Sequence, residues 1–392
     1  MHLLVLTAVA LLALALPAAA ADFSAQSLET RARAAIAEAE RDVNENGRWP
    51  YIADGGELAV GAVDDRVASL RARLRATGEL EGAPGDTEAE RIFDAGTEAA
   101  LLRFQQRHGL VESSKLDRTT LYHLDVPNSE RIAQLRRNLT RLRSLRAVSD
   151  GRRVIVNIAD FRVYLVEDDR FVTAKRVVAG TCFRQTPLIS GEIDHVKLNP
   201  SWSVPSSIAR NDKLPQLRAD PGYAARNGFR VIRGWGPDAV EVDARSVDWR
   251  SIPRGQFPYR LEQRPGANNA LGRIKISFKN SEDIYLHDTS APELFPFAMR
   301  AFSSGCVRVQ DPVELAAFVL NEPARDAPAL SRAIAARHGN TYHARPMVPL
   351  DIVYWTAWVD ADGKPQFRRD PYGRDPLPDD APPTIPADCR VP

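Results

Sequence analysis

His287 and Cys306 are the residues of this chain whose types and settings suit covalent acyl transfer. An imidazole can take the proton of a thiol, and the thiolate then attacks a carbonyl carbon to give a thioester. The histidine lies in Ile284-Tyr285-Leu286-His287-Asp288, where apolar residues alternate as on a half-buried strand, so Tyr285 and His287 share a face. The cysteine ends Ser303-Ser304-Gly305-Cys306. Glycine permits a tight turn there, and the N–H groups around Gly305 and Cys306 are candidates to receive an oxyanion. Asp288 follows His287 but on a strand points to the opposite face, so a backbone carbonyl or a serine of Ser303-Ser304 is the better candidate to orient the ring. A small buried cysteine beside a hydrogen-bonded structural histidine is the plainer alternative.

The elements that must position this pair can be read on either side of it. Asp311, Pro312 and Glu314 are expected to open a helix as N-cap, first-turn proline and capping-box acid, with the helix running to Leu320. Upstream, Val154 to Ile158, Arg162 to Val166 and Phe171 to Ala179 are β-rich runs, with Asp168-Asp169 as a turn, and Val348 to Trp358 returns to strand. Before Arg152 the period is helical. Residues 22–62 are expected to be a surface helix and connector. Residues 63–126 hold helices around Val67, Leu70 and Leu74, then Leu101, Leu102 and Phe104, then after Asp117. Residues 127–150 are expected to be a linker helix docked by Ile132, Leu135, Leu139 and Leu142, with its six arginines of 129–146 on the solvated side. From 206 to 272 regular pattern is lost, which points to an inserted lid or binding segment. The tail, 361–392, is proline-rich and, from Asp370, expected to be loosely draped.

Ile284 to Thr289 (IYLHDT) followed by Ala301 to Val309 (AFSSGCVRV) resembles the signature of the L,D-transpeptidases, cysteine enzymes that cross-link peptidoglycan, and in particular their large periplasmic subgroup. The commoner form has histidine where this chain has Ser304. The resemblance covers 151–360 and implies a multidomain α+β chain. Its catalytic domain would be mostly β, with 206–272 as a capping insertion, and Asn199 and Trp202 would line the donor groove. It implies Cys306 as nucleophile and His287 as acid and base, with Ser304 and Gly305 in the oxyanion loop. Tyr285 would orient His287, wall the pocket or simply pack, and Arg308 would meet a substrate carboxylate or form a salt bridge beside the site. The implied reaction takes a tetrapeptide stem, releases D-alanine and passes the acyl group to the side-chain amine of another stem, giving a 3→3 cross-link. No cofactor or metal is required, and acylation by carbapenems is expected. The segment around Phe104-Gln105, His108-Gly109-Leu110 and Leu116-Asp117-Arg118 resembles a three-helix peptidoglycan-binding domain.

The 392 residues, 44% of them hydrophobic, suffice for several domains, and 52 basic against 51 acidic residues ask for no nucleic-acid partner. Leu3 to Leu16 is an apolar run followed by Pro17 and alanines, the pattern of a secretory signal over 1–20, with an uncleaved anchor as the alternative. The expected location is the periplasm, and the expected partners are donor and acceptor stems and other wall-synthesis proteins. Three cysteines leave at least one unpaired; a Cys182–Cys389 disulfide would leave Cys306 free. The histidines show no H-E-x-x-H motif, so a zinc peptidase is the weaker enzyme reading. The same residues also suit a carboxypeptidase that uses water as acceptor, and a non-catalytic wall-binding protein.

Overall fold

The computed structural model describes residues 22–145, 151–220, 222–253 and 255–375. The expected signal segment and Cys389 lie outside these residues. The β-rich half begins as an antiparallel meander of β1 (Arg152–Asn157), β2 (Arg162–Glu167) and β3 (Arg170–Gly180). Asp168 and Asp169 join β2 to β3 with φ of +51° and +57°. Two left-handed residues in a two-residue connection match the twist of the strands they join, and aspartate tolerates that region better than most side chains.

The sheet continues through β4 (Ser190–Leu198), β9 (Ile274–Phe278), β10 (Leu286–His287), β11 (Ala301–Ser303), β12 (Val307–Val309) and β13 (Thr341–Val353). Among the described residues it has nine strands in the order β11-β3-β12-β10-β9-β4-β13-β1-β2, and it closes because β3 also pairs with β2. Closure covers the edge that β2 would present in an open sheet. Val156, Val196, Ile276, Leu286, Val307 and Leu350 face one core, onto which the helices Val313–Leu320 and Ala327–Ala335 pack. The first of these helices does not start as expected. Asp311 is left-handed at φ +45° and Pro312 is the N-cap without a side-chain hydrogen bond, so no capping box forms.

The segment 206–272 is not irregular. Strands β5 (Trp202–Ser203), β6 (Phe229–Arg233), β7 (Val240–Val242) and β8 (Tyr259–Gln263) form a second sheet in the order β5-β8-β6-β7. Short helical turns between them close a separate core around Trp202, Leu214, Leu217, Trp249 and Leu261. Short strands joined by long glycine- and proline-containing connections hid this subdomain from a periodicity reading.

The helical half has its own core of Val67, Leu70, Leu74, Phe93, Leu101 and Phe104. Its main helices, Asp65–Ala76, Ala95–Arg107 and Arg118–Leu124, each start at an aspartate whose side chain accepts a backbone N–H, as Asp94 does from Thr97 and Asp117 from Thr120. Each such cap contributes about 1 kcal/mol. The module docks on the hairpin of β14 (Ala357–Val359) and β15 (Pro365–Phe367): Arg107 donates to the Pro365 carbonyl, Arg368 donates to the Arg107 carbonyl, and His108 stacks on Phe367 at 5.4 Å.

Three expectations need correction here. Helix Ala25–Asn46 is not a surface element, because Leu28, Ala32 and Ile36 are buried with Ile132 and Leu135 of helix Asn128–Arg143 against Trp355 and Trp358. The arginines of 129–146 are not all solvated: Arg131 is buried, donates to the His123 carbonyl and lies over Phe367. The described part of the tail is not loosely draped, with Tyr372 buried and Asp375 paired to Arg141.

Candidate active site

Parallel pairing of β10 with β12 sets Leu286 beside Val307 and His287 beside Arg308. Leu286 and Val307 are buried in the barrel core, so by alternation Tyr285, His287, Cys306 and Arg308 share the other face. The strand around the histidine is only Leu286–His287, shorter than the sequence pattern implied. Cys306 is the free cysteine among the described residues, and Cys182 is held in a disulfide.

His287 is buried, and its Nδ1 lies 2.5 Å from the Asp288 carbonyl oxygen. A carbonyl only accepts, so Nδ1 carries the proton and Nε2 is left as the acceptor. Burial, helped by Arg308 and Lys275, pushes the imidazole down to about 3, so the ring is neutral at physiological pH. The Asp288 carboxylate is engaged elsewhere and accepts the Arg273 N–H at 2.8 Å. Gly272, at φ +59°, makes room for it, since a Cβ there would stand 2.4 Å from Asp288 Cγ. The third element of the site is therefore a backbone carbonyl, one residue beyond the histidine.

Burial also raises the Cys306 thiol above its ordinary value; the Tyr285 backbone and hydroxyl, Lys275 and Arg308 act in the opposite direction. The resting pair is a neutral thiol with a neutral imidazole. Alkylation of Cys306 by iodoacetamide should therefore rise about tenfold per pH unit from pH 6 to pH 8. A rate already level above pH 6, as a thiolate–imidazolium pair gives, would contradict this.

The turn ahead of the thiol is braced from inside. Ser303 is buried; its Oγ donates to the Cys306 carbonyl at 2.6 Å and accepts the Gly305 N–H at 3.1 Å. Gly305 has φ +118°, a region that other residues rarely adopt. Its N–H is thus spent, which corrects the expectation that it serves an oxyanion, while the Cys306 N–H has no acceptor among the described residues. Thr186 Oγ1 donates to the Gly305 carbonyl, and Tyr372 OH accepts the Thr186 N–H and donates to Gly180 O. Ser303→Ala should cost roughly tenfold in kcat/KM through loss of two hydrogen bonds worth about 1 kcal/mol each. Parallel thermal unfolding would separate this effect from unfolding.

Ser304 faces outward, its Oγ accepting from Arg184 at 3.0 Å, and Arg184 forms a bidentate pair with Asp212 of the insertion at 2.6 and 2.7 Å. Tyr285 joins the insertion from the other side: its ring packs on that subdomain's core, 5.6 Å from the His287 ring and 4.0 Å beneath Lys275 Nζ. Trp202 is buried in the insertion and touches the site through Tyr285. Asn199 is not in the groove; its Nδ2 donates to the Ile334 and His338 carbonyls at the end of a helix. Arg308 has no carboxylate partner among the described residues, which leaves its guanidinium available rather than in the salt bridge weighed from sequence; burial lowers its pKa and Glu293 acts on it only at longer range. Sequence reading missed Thr186, Arg184 and Tyr372 as supports, since contacts between distant segments leave no local signal; Ser303, weighed there as a support of the histidine ring, braces the turn instead. A cavity of about 420 Å³ lies away from the thiol, between the helical module and the catalytic domain, lined by Val111, Arg162, Phe297 and Arg300. The described residues contain no cluster of three or more metal-ligating side chains.

Comparison with known proteins adds two family matches: the L,D-transpeptidase catalytic domain model over residues 151–339, and a peptidoglycan-binding domain model over residues 63–124. A protein of Haemophilus influenzae, provisionally assigned as an L,D-transpeptidase, is 32% identical over 297 residues, which is 74% of this chain and 59% of that protein. The chain thus spans well under two thirds of that relative. An L,D-transpeptidase structure from Xylanimonas cellulosilytica is 12% identical, covering 76% of this chain and 98% of that one at a TM-score of 0.22. L,D-transpeptidase 3 from Mycobacterium tuberculosis, in complex with a faropenem-derived adduct, is 11% identical, covering 52% and 60% at a TM-score of 0.24. Residues 151–339, with the buried histidine and the free thiol on one sheet face, are an L,D-transpeptidase catalytic domain, and a peptidoglycan-binding domain precedes them in the chain.

Proposed function

We propose that this protein is an exported transpeptidase that cross-links peptidoglycan stems through a thioester on Cys306. The observation that carries the reading is the neutral His287, fixed by the Asp288 carbonyl with Nε2 as acceptor, on the same face as the free thiol. Nε2 takes the Cys306 proton as the sulfur attacks the carbonyl joining residue 3 of a tetrapeptide stem to D-alanine. The Cys306 N–H is the donor placed to meet the oxyanion. The tetrahedral species collapses, and His287 returns the proton to the departing D-alanine amine. The side-chain amine of a second stem then attacks the thioester, giving up a proton through His287 to the leaving thiol. Neither step needs a metal or an organic cofactor.

Arg308, without a carboxylate partner among the described residues, is suited to a substrate carboxylate. The insertion, held to the turn by Arg184 and Asp212, favours an amine over water as acceptor by shielding the thioester. The helical module holds the chain on its polymeric substrate, consistent with a periplasmic location, a cleaved signal over 1–20 and contact with other wall-synthesis proteins. Purified protein incubated with disaccharide-tetrapeptide and analysed by mass should yield a cross-linked dimer lacking one D-alanine. Disaccharide-tripeptide alone would instead make it a carboxypeptidase, and unchanged substrate would sink the reading.

A further inference from the structure

Four adjacent strands present a cation or the catalytic imidazole at one level. Lys197 is paired with Lys275, Lys275 with His287, and His287 with Arg308, so the four form a row across β4, β9, β10 and β12. Their neighbours Val196, Ile276, Leu286 and Val307 are buried in the barrel core. The row therefore lies on the opposite face, which also carries Tyr285 and Cys306.

Like charges on adjacent strands destabilise a sheet. Among the described residues nothing neutralises these: Lys197, Lys275 and Arg308 have no carboxylate within ion-pair distance, and Asp283 and Glu293 act on Lys275 and Arg308 only at longer range. Lys275 is part-buried, with Nζ over the Tyr285 ring, so it has also given up hydration. Two lysines side by side next to a catalytic histidine, uncompensated, are the mark of a surface awaiting an anion.

We infer that Lys197 and Lys275 form a cationic subsite for a carboxylate of the donor peptide, across His287 from Arg308. The inference rests on the acyl-transfer reading of the same face. Three inter-strand steps separate Lys197 from Arg308, roughly 14 Å, the length of about four residues of extended peptide. A peptide laid across β9, β10 and β12 meets a cation on each side of His287 and reaches the thiol at the β12 end of the row, where Cys306 stands two residues before Arg308. The row thus selects donors that carry more than one carboxylate.

Isothermal titration of the full chain carrying Cys306→Ala, which binds without turning over, tests this with disaccharide-tetrapeptide whose free carboxylates are intact or converted to amides. Lys275→Met and Lys197→Met should each weaken binding of the intact donor about tenfold, Lys275→Arg less than threefold, and the loss should shrink at high salt. The amidated donor should bind weakly to the parent and no more weakly to the lysine variants. Thermal unfolding gives an independent readout: removing one of two repelling charges should leave Tm unchanged or raise it. Unchanged affinity for the intact donor, an equal loss with the amidated donor, or a lowered Tm in both methionine variants would overturn the subsite. Because the readout is binding, a failure of the wild-type protein to make any product would count against the acyl-transfer reading alone.

Discussion

Replacing Cys306 with alanine is expected to remove product formation from a tetrapeptide donor, lowering kcat by roughly 10⁴-fold or more. The sulfur is the atom that becomes covalently bonded to substrate, and the described residues offer no second free thiol. The fold should tolerate the change. Cys306 is only part-buried, and its carbonyl, which receives Ser303 Oγ, is unaltered. A variant that unfolds within a few degrees of wild type yet makes no product is the expected result. Turnover within tenfold of wild type would mean that another group carries the acyl chain.

His287→Gln is expected to cost roughly 10²- to 10⁴-fold in kcat, the usual contribution of a positioned acid and base. Glutamine can keep a hydrogen bond to the Asp288 carbonyl but cannot carry a proton between sulfur, leaving amine and attacking amine. Because the buried ring is held neutral, no charge is lost from the interior. Asp288→Asn provides the contrast. The carbonyl, not the carboxylate, holds the imidazole, and an asparagine oxygen can still receive the Arg273 N–H. Activity within about threefold of wild type is expected for that variant, measured by the same product assay. A loss as large as that of His287→Gln would give the carboxylate a direct role in the chemistry.

Much of this site was legible because its chemistry is written locally. The alternation from Ile284 to His287 placed two side chains on one face, and the small-residue turn before Cys306 announced a tight bend. The opposite direction of the Asp288 side chain left a backbone carbonyl or a serine of Ser303-Ser304 as the ring's support, and of these it is the Asp288 carbonyl that meets Nδ1. What was not legible comes from contacts between distant segments. Thr186 and Tyr372 reach the turn from 119 and 186 residues away along the chain, counted from Gly305 and Thr186. A tail read as draped therefore supplies a buried strut. Asn199 lies within the resembling segment, yet its amide is drawn to the carbonyls at a helix end, and a side chain's direction in a loop has no periodicity to reveal it. The insertion looked irregular because its strands are short and its core is built from tryptophans and leucines spread over long connections. The lysine row was invisible for a related reason: Lys197 and Lys275 meet only once β4 and β9 are paired.

The central claim is that Cys306 carries the acyl chain. Intact-protein mass spectrometry of wild-type protein, quenched in acid within seconds of mixing with disaccharide-tetrapeptide, tests it most directly. The expected species is protein plus donor minus one D-alanine, with the adduct on the peptide containing Cys306, and its absence from the Cys306→Ala variant. An adduct on another residue, or cross-linked product formed with no adduct detected at any quench time, would contradict it.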